Sequence, residues 1–152
     1  MSSLSQLLSL DTILLDLDVA SKKRVFEQVG LLFENHQGIG RAQVFDSLFA
    51  REKLGSTGLG QGIAIPHGRI KGLKSAAAAF VRVKTPIPFD SPDGKPVSHI
   101  FILLVPEHAT EEHLQILSEL AQLFSDKHFR DRLETVRAAD ELQRLFAEWQ
   151  TE

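Results

Sequence analysis

Apolar positions along the chain follow two rhythms, and the elements can be read from where one gives way to the other. "TILLDL" (Thr12–Leu17) is a short continuous apolar run and predicts a strand. After Ser21, a good helix cap, Val25, Val29, Leu32 and Phe33 recur at helical spacing, which predicts a helix to about Asn35 ended by Gly38 and Gly40. A second helix is expected from Arg41 to Lys53, with Val44, Phe45, Leu48 and Phe49 inward and Gly55 as its stop. "GIAIPH" (Gly62–His67) then predicts a short buried strand and "AAAAFVRVK" (Ala76–Lys84) another, followed by a proline-broken turn through "TPIPFDSPDGKP". "SHIFILLVP" (Ser98–Pro106) is continuous and rich in branched residues, as a strand buried on both faces should be. Thr110 is expected to cap a long helix through Phe124 with Leu114, Leu117, Leu120, Ala121 and Phe124 on one face. Shorter helices near His128–Leu133 and Ala138–Trp149 finish the chain.

Strands separated by helical segments predict an α/β sandwich, with a mixed, mainly parallel sheet flanked by helices. No repeat, low-complexity segment or linker interrupts the chain, so residues 1–152 are expected to form one domain. In such sheets ligands gather beyond the carboxyl ends of strands. His67, after "IAIP", and His113, in the first turn of the helix after "IFILLVP", are both expected there, facing one crevice.

Composition narrows the function classes. Hydrophobic residues are 43% and charged residues 24% of the chain, an ordinary globular balance. The net charge of −3 gives no global attraction to nucleic acid or an anionic membrane. Cysteine is absent, which removes disulfides, thiol nucleophiles and thiolate metal sites and fits a reducing compartment. "MSSLSQLLSLDTILLDLD" lacks the basic start of a signal peptide, and "AAAAFV" and "IFILLV" are too short to span a bilayer. The expectation is a soluble cytoplasmic protein without nucleic-acid partners or membrane insertion.

The candidate chemistry centres on "LGSTGLGQGIAIPHGR" (Leu54–Arg69). No Lys-Ser/Thr pair follows the glycines, so this is not a P-loop. Gly58, Gly60 and Gly62 are spaced G-x-G-x-G before a strand, so it is not a dinucleotide fingerprint either. Two readings remain: a mobile loop, or a stretch whose backbone N–H groups approach an anion, with Ser56 and Thr57 adding hydroxyls. His67 follows a proline that fixes the local backbone. An uncharged imidazole can attack phosphorus and hold the phosphoryl group covalently. Arg51, in "AREKLGST", is either part of a solvated helix face with Glu52 and Lys53 or a guanidinium fork for phosphate oxygens. His108 and His113 with Glu111 and Glu112 raise a metal site, but His-x4-His is not the His-x3-His of the helical zinc motif. His113 is then either a plain first-turn polar residue or the orienter of a reactive group. His36, His99 and His128 have no supporting context and read as structural.

The same stretch resembles the active-site signature of the fructose/mannitol-type IIA proteins of the bacterial phosphoenolpyruvate-dependent phosphotransferase system. "SKKRVFEQVGLLFEN", "VFDSLFAREKLGSTG", "IPHGRIKGL", "FILLVPEHATEEHLQILSELAQLFSD" and "ADELQRLF" extend the likeness over most of the chain and resemble the nitrogen-regulatory branch. The resemblance implies an α/β sandwich without metal or organic cofactor. It implies that His67 accepts a phosphoryl group from an HPr-like phosphocarrier, with His113 as the second active-site histidine and Arg51 as partner of the phosphoryl oxygens. Ser56, Thr57 and Gly58 would line the phosphoryl site. Regulatory targets such as potassium transport or sensor-kinase proteins would respond to the phosphorylation state. A sugar-specific IIA component that passes the group to a IIB domain is the alternative within the family, and an unmodified binding module is the alternative outside it.

Overall fold

A computed structural model describes residues 4–108 and 110–149; the extreme ends of the expected 1–152 domain lie outside them. Helix α1 (Leu4–Leu7) and a short 3-10 turn lead into strand β1 (Ile13–Leu17). Helices α2 (Lys22–Gln37) and α3 (Arg41–Glu52) precede strands β2 (Gly58–Gly60), β3 (Ile63–Ala64), β4 (His67–Ile70), β5 (Ala77–Ile87) and β6 (Val97–Pro106). Helices α4 (Glu111–Phe124), α5 (Lys127–Thr135) and α6 (Ala139–Glu148) follow. The strands form one mixed sheet in the order β1-β5-β6-β3-β2, with β4 also on β6. The pairs β1/β5, β3/β6 and β4/β6 are parallel, while β5/β6 and β2/β3 are antiparallel. The expected α/β sandwich is therefore the observed fold.

Local signals set several boundaries. Ser21 Oγ accepts from Arg24 N at 3.2 Å at the start of α2. Gly38, at φ 68°, ends that helix in the left-handed conformation that glycine adopts without a steric penalty.

The long strands β5 and β6 are buried on both faces, and their period of two sorts side chains into two cores. Ala77, Ala79, Val81 and Val83 of β5 and Ile100, Ile102 and Leu104 of β6 join Val25, Phe26, Val29, Phe33, Val44 and Leu48 of α2 and α3. Ala78 and Phe80, with Phe101, Leu103 and Val105, join Leu120, Leu123, Phe124, Phe129, Leu142 and Phe146 on the other face. That second core is aromatic: Phe146 packs edge-on against Phe129 at 5.2 Å and Phe80 at 5.8 Å between ring centroids.

Four details differ from the sequence expectations. Strand β5 runs on to Ile87 through Thr85 and Pro86, because its register on β6 is irregular between Arg82 and Ile87, where a proline without an N–H is tolerated. The inner face of α4 carries Leu120, Leu123 and Phe124, whereas Ala121 and Leu114 point outward. Leu4 and Leu8 at the N-terminus are buried in the aromatic core, a segment the periodicity did not flag. "GIAIPH" is not one strand. It is β3 and the start of β4, placed end to end along β6, with Ile65 and Pro66 between them. His67 therefore opens a strand instead of following one.

The register of β4 fixes what each of its residues faces. His67 pairs with Leu103, which faces the α4 side, and Gly68 pairs with Leu104, which faces α2 and α3. A Cβ at Gly68 would collide with the Ser47 hydroxyl and come within 3.1 Å of the Ser47 carbonyl carbon. The glycine after His67 is there to let β4 lie against α3.

At the opposite end of β6, His99 is 3% exposed and lies beside Arg82, whose Nη1 donates to the carbonyls of Leu133 at 3.0 Å and Val136 at 2.6 Å. Burial first, then the Arg82 charge, lowers the His99 pKa to about 4, against an opposing hydrogen bond with the Leu133 backbone. Below an unfolded pKa near 6.5 the unfolded chain binds a proton here and the folded chain does not. Stability therefore falls as pH drops from 6.5 towards 4, by on the order of 3 kcal/mol from this group. Urea unfolding across this range should show that loss, and His99→Phe should flatten it; an unchanged slope in the variant would assign the acid sensitivity elsewhere.

Candidate functional site

A cavity of about 730 Å³ opens between α3, β4 and α4. Arg51, His67, Arg69 and His113 line it together, with Leu54 and Leu114. The two leucines are 84% and 58% exposed, so the rim is apolar around a polar centre. Three elements far apart in the chain thus meet at one crevice, where His67 and His113 lie together as the sequence expected and Arg51 joins them.

His67 is half-buried, and its Nδ1 lies 3.0 Å from the carbonyl of Ile65. A carbonyl only accepts, so Nδ1 carries the proton and Nε2 holds the lone pair. Burial pushes the His67 pKa below its ordinary value; the Ile65 hydrogen bond opposes this, the Arg51 charge adds to it, and the Glu52 charge opposes it. Burial thus favours the uncharged ring, whose lone pair lies on Nε2.

His113 is set by a different device. It is the third residue of α4, and its Nδ1 accepts from Thr110 N at 3.1 Å and lies 3.2 Å from Thr110 Oγ1. Histidine here does what glutamate does in an ordinary capping box. Because Nδ1 accepts a backbone N–H, the neutral ring carries its proton on Nε2 and can donate it into the crevice. Arg51 lies in the last turn of α3 and is steadied by Nη1 donating to Gly55 O at 2.8 Å. The crevice therefore joins an imidazole with a free lone pair to a guanidinium and an N–H donor, a set chemically suited to a group that bears anionic oxygens.

The glycine stretch does not serve as a donor cradle. Three of its backbone N–H groups are engaged within the fold: Thr57 N by Glu52, Gly58 N by Ser56 Oγ, and Gln61 N by Asp93. Gly60, Gln61 and Gly62, at φ 89°, 58° and 78°, make the tight turn between β2 and β3. The Gln61 amide is the main cause that holds the Asp93 carboxyl below the usual range. That turn is bonded to Ser98 and His99 at the start of β6, whereas His67 pairs with Leu103. Four strand residues separate those positions, about 13 Å. Ser56, Thr57 and Gly58 do not line the crevice. The Ser56 hydroxyl donates to Phe89 O at 2.5 Å, and a Cβ at Gly58 would collide with Ser91 Oγ.

One residue of the site region was missed. Glu52 is not on a solvated face; it is 8% exposed. Its carboxylate accepts from Lys22 Nζ at 2.9 Å, Thr57 N at 3.0 Å and Thr57 Oγ1 at 2.7 Å. Nothing local in "AREKLGST" marks it, because its main counter-charge lies on α2. As for metal, the His108 side chain is 95% exposed, and among the described residues no three His, Cys, Asp or Glu side chains gather as a metal-holding group. Among the described residues no helix is long and apolar enough to cross a membrane.

Comparison with known proteins identifies the family. The chain is 43% identical to a nitrogen regulatory protein of Pseudomonas aeruginosa, over 99% of this chain and 98% of that one. It is 41% identical to a nitrogen regulatory protein of Klebsiella oxytoca, over 84% and 80% of the two chains. Its fold matches the crystal structure of nitrogen regulatory protein IIA-Ntr from Neisseria meningitidis with a TM-score of 0.90 and 57% identity, covering 95% of this chain and 99% of that one. The model of the phosphoenolpyruvate-dependent sugar phosphotransferase system EIIA 2 family matches residues 6–149. A matching fold, close relatives and a family model that spans nearly the whole chain agree: this protein belongs to the EIIA 2 family of the phosphoenolpyruvate-dependent phosphotransferase system.

Proposed function

We propose that the protein is a phosphohistidine carrier of the nitrogen-related branch of the phosphotransferase system. It accepts a phosphoryl group on His67 Nε2 from an HPr-like phosphocarrier and regulates target proteins according to its phosphorylation state. The observation that carries this is the Nδ1–H bond from His67 to the Ile65 carbonyl, which leaves Nε2 as the nucleophile in a crevice shared with Arg51 and His113. In the step itself, the Nε2 lone pair forms an N–P bond while the N–P bond to the carrier's histidine breaks. The carrier's nitrogen keeps the electron pair of that bond. His67 Nδ1 keeps its proton throughout. Arg51 and the Nε2–H of His113 donate to the equatorial oxygens, where phosphoryl transfer chiefly needs alignment and charge stabilisation.

The nitrogen-regulatory names of the similar proteins support the regulatory role over sugar delivery. A phosphoryl group adds about −1.5 to −2 charge. Here it would arrive between Arg51 and Arg69 and between two exposed leucines, which changes the face a target meets without any change of fold. Targets of the potassium-transport or sensor-kinase kind would read that difference.

Incubation with phosphoenolpyruvate, the first enzyme of the system and its phosphocarrier should label His67, as read by mass spectrometry. Label that persists in His67→Ala would refute the assignment. Arg51→Ala should slow transfer by about 100-fold or more. Its melting temperature should change little, because the hydrogen bond it loses is an exposed one to the Gly55 carbonyl. A variant equally impaired in stability and transfer would make Arg51 structural. Because the His67 pKa is lowered, its nucleophilic neutral form persists below pH 6.5. The acid limb of the transfer rate should therefore fall below that pH, and a rate already halved at pH 6.5 would contradict the neutral-imidazole reading.

A further inference from the structure

His67 is held by a chain of hydrogen bonds that begins at a buried charge. Lys22 Nζ donates to Glu52 Oε2 at 2.9 Å, and the Glu52 carboxylate takes both Thr57 N at 3.0 Å and Thr57 Oγ1 at 2.7 Å. The Thr57 carbonyl in turn accepts from Ile65 N at 3.0 Å, and the Ile65 carbonyl accepts from His67 Nδ1 at 3.0 Å. Ile65 sits in the gap between β3 and β4 and is followed by Pro66, which offers no N–H. Its carbonyl is therefore held on one side by its own N–H bond to the Thr57 carbonyl and on the other by Pro66, whose carbonyl accepts from Leu103 N of β6 at 3.0 Å.

We infer that Glu52 and Thr57 are positioning residues for the phosphoryl acceptor: through the Thr57–Ile65 link they aim the carbonyl that keeps the proton of His67 on Nδ1. The inference rests on the carrier reading above for its consequence, but its physical content concerns the unphosphorylated protein. A histidine whose Nδ1 partner is displaced is free to carry its proton on Nε2, and the lone pair that attacks phosphorus is then lost. When Nε2 becomes bonded to phosphorus and Nδ1 keeps its proton, the ring turns cationic. The Ile65 carbonyl receives a stronger donor, and the Glu52 charge lies on the favourable side of that change. The Thr57 hydroxyl thus acts from behind the imidazole, bonded to a carboxylate, and not on phosphoryl oxygens.

The test compares wild type with Thr57→Val, which removes the hydroxyl at nearly constant shape, Thr57→Ser, which keeps it, and Glu52→Gln, which removes the charge. Long-range ¹H–¹⁵N spectra read the His67 tautomer, and phosphoramidate, a small phosphodonor that needs no protein docking, reads the phosphorylation rate. Expected are an Nδ1–H ring in wild type and Thr57→Ser, and a shift towards Nε2–H in Thr57→Val and Glu52→Gln. The rate should fall roughly 10- to 100-fold in the latter two. An unchanged tautomer and rate in Thr57→Val, even with a lowered melting temperature, would overturn the inference and make the cluster purely structural. Thr57→Val decides the matter if Glu52→Gln does not fold. Wild type that takes no label at His67 would instead refute the carrier reading, with the tautomer still deciding this one.

Discussion

A carboxylate taken out of water needs hydrogen bonds and a counter-charge, and Glu52 is where this structure meets that demand. Removing one partner from such a group costs several kcal/mol, so its partners are held in place by the cost of losing them. Here the partners come from the start of α2, through Lys22, and from the segment after α3, through Thr57. Lys22 also lies 4.6 Å from the centre of the Phe89 ring, whose backbone carbonyl takes the Ser56 hydroxyl. One buried charge thereby fixes the end of α3, the entry to β2 and the segment between β5 and β6. Arg51 precedes it in the chain and Thr57 is bonded to it twice, so the geometry of the crevice depends on it.

The sheet supplies the rigid side of the same arrangement. Strand β6 lies between two cores and carries β3 and β4 in succession on one edge. The break between them frees the Ile65 carbonyl from the ladder and turns it towards His67. Gly68 then brings the strand close against Ser47 of α3. A site built on strand and helix ends in this way is more precise than one built on a loop. That precision suits a reaction that needs alignment more than covalent assistance.

Much of this was legible before the fold was known. Ser21 and Gly38 bound α2 by local cap chemistry, and the apolar run of β6 needed no context to be read as a buried strand. His67, His113 and Arg51 were singled out as candidates, and the crevice brings all three together. The glycines left a mobile loop and an anion approach open, and the structure uses Gly60 and Gly62 in the tight turn between β2 and β3. Their backbone N–H groups looked available because their partners lie elsewhere in the chain: Asp93 for Gln61 and Glu52 for Thr57. Glu52 itself looked like one charge in a solvated run, since neither Lys22 nor the fold-back of residues 55–57 can be seen from helix periodicity.

The sequence by itself determined the main helices, the buried strand β6 and the resemblance to the EIIA 2 family. Those properties depend on periods, caps and motifs that are local in the chain. The tertiary structure decided which nitrogen of His67 bears its proton, which glycine serves a turn and which a close approach, and that Glu52 is buried. Each of these depends on a hydrogen-bond or steric partner brought from a distant segment, and no local pattern records who that partner will be.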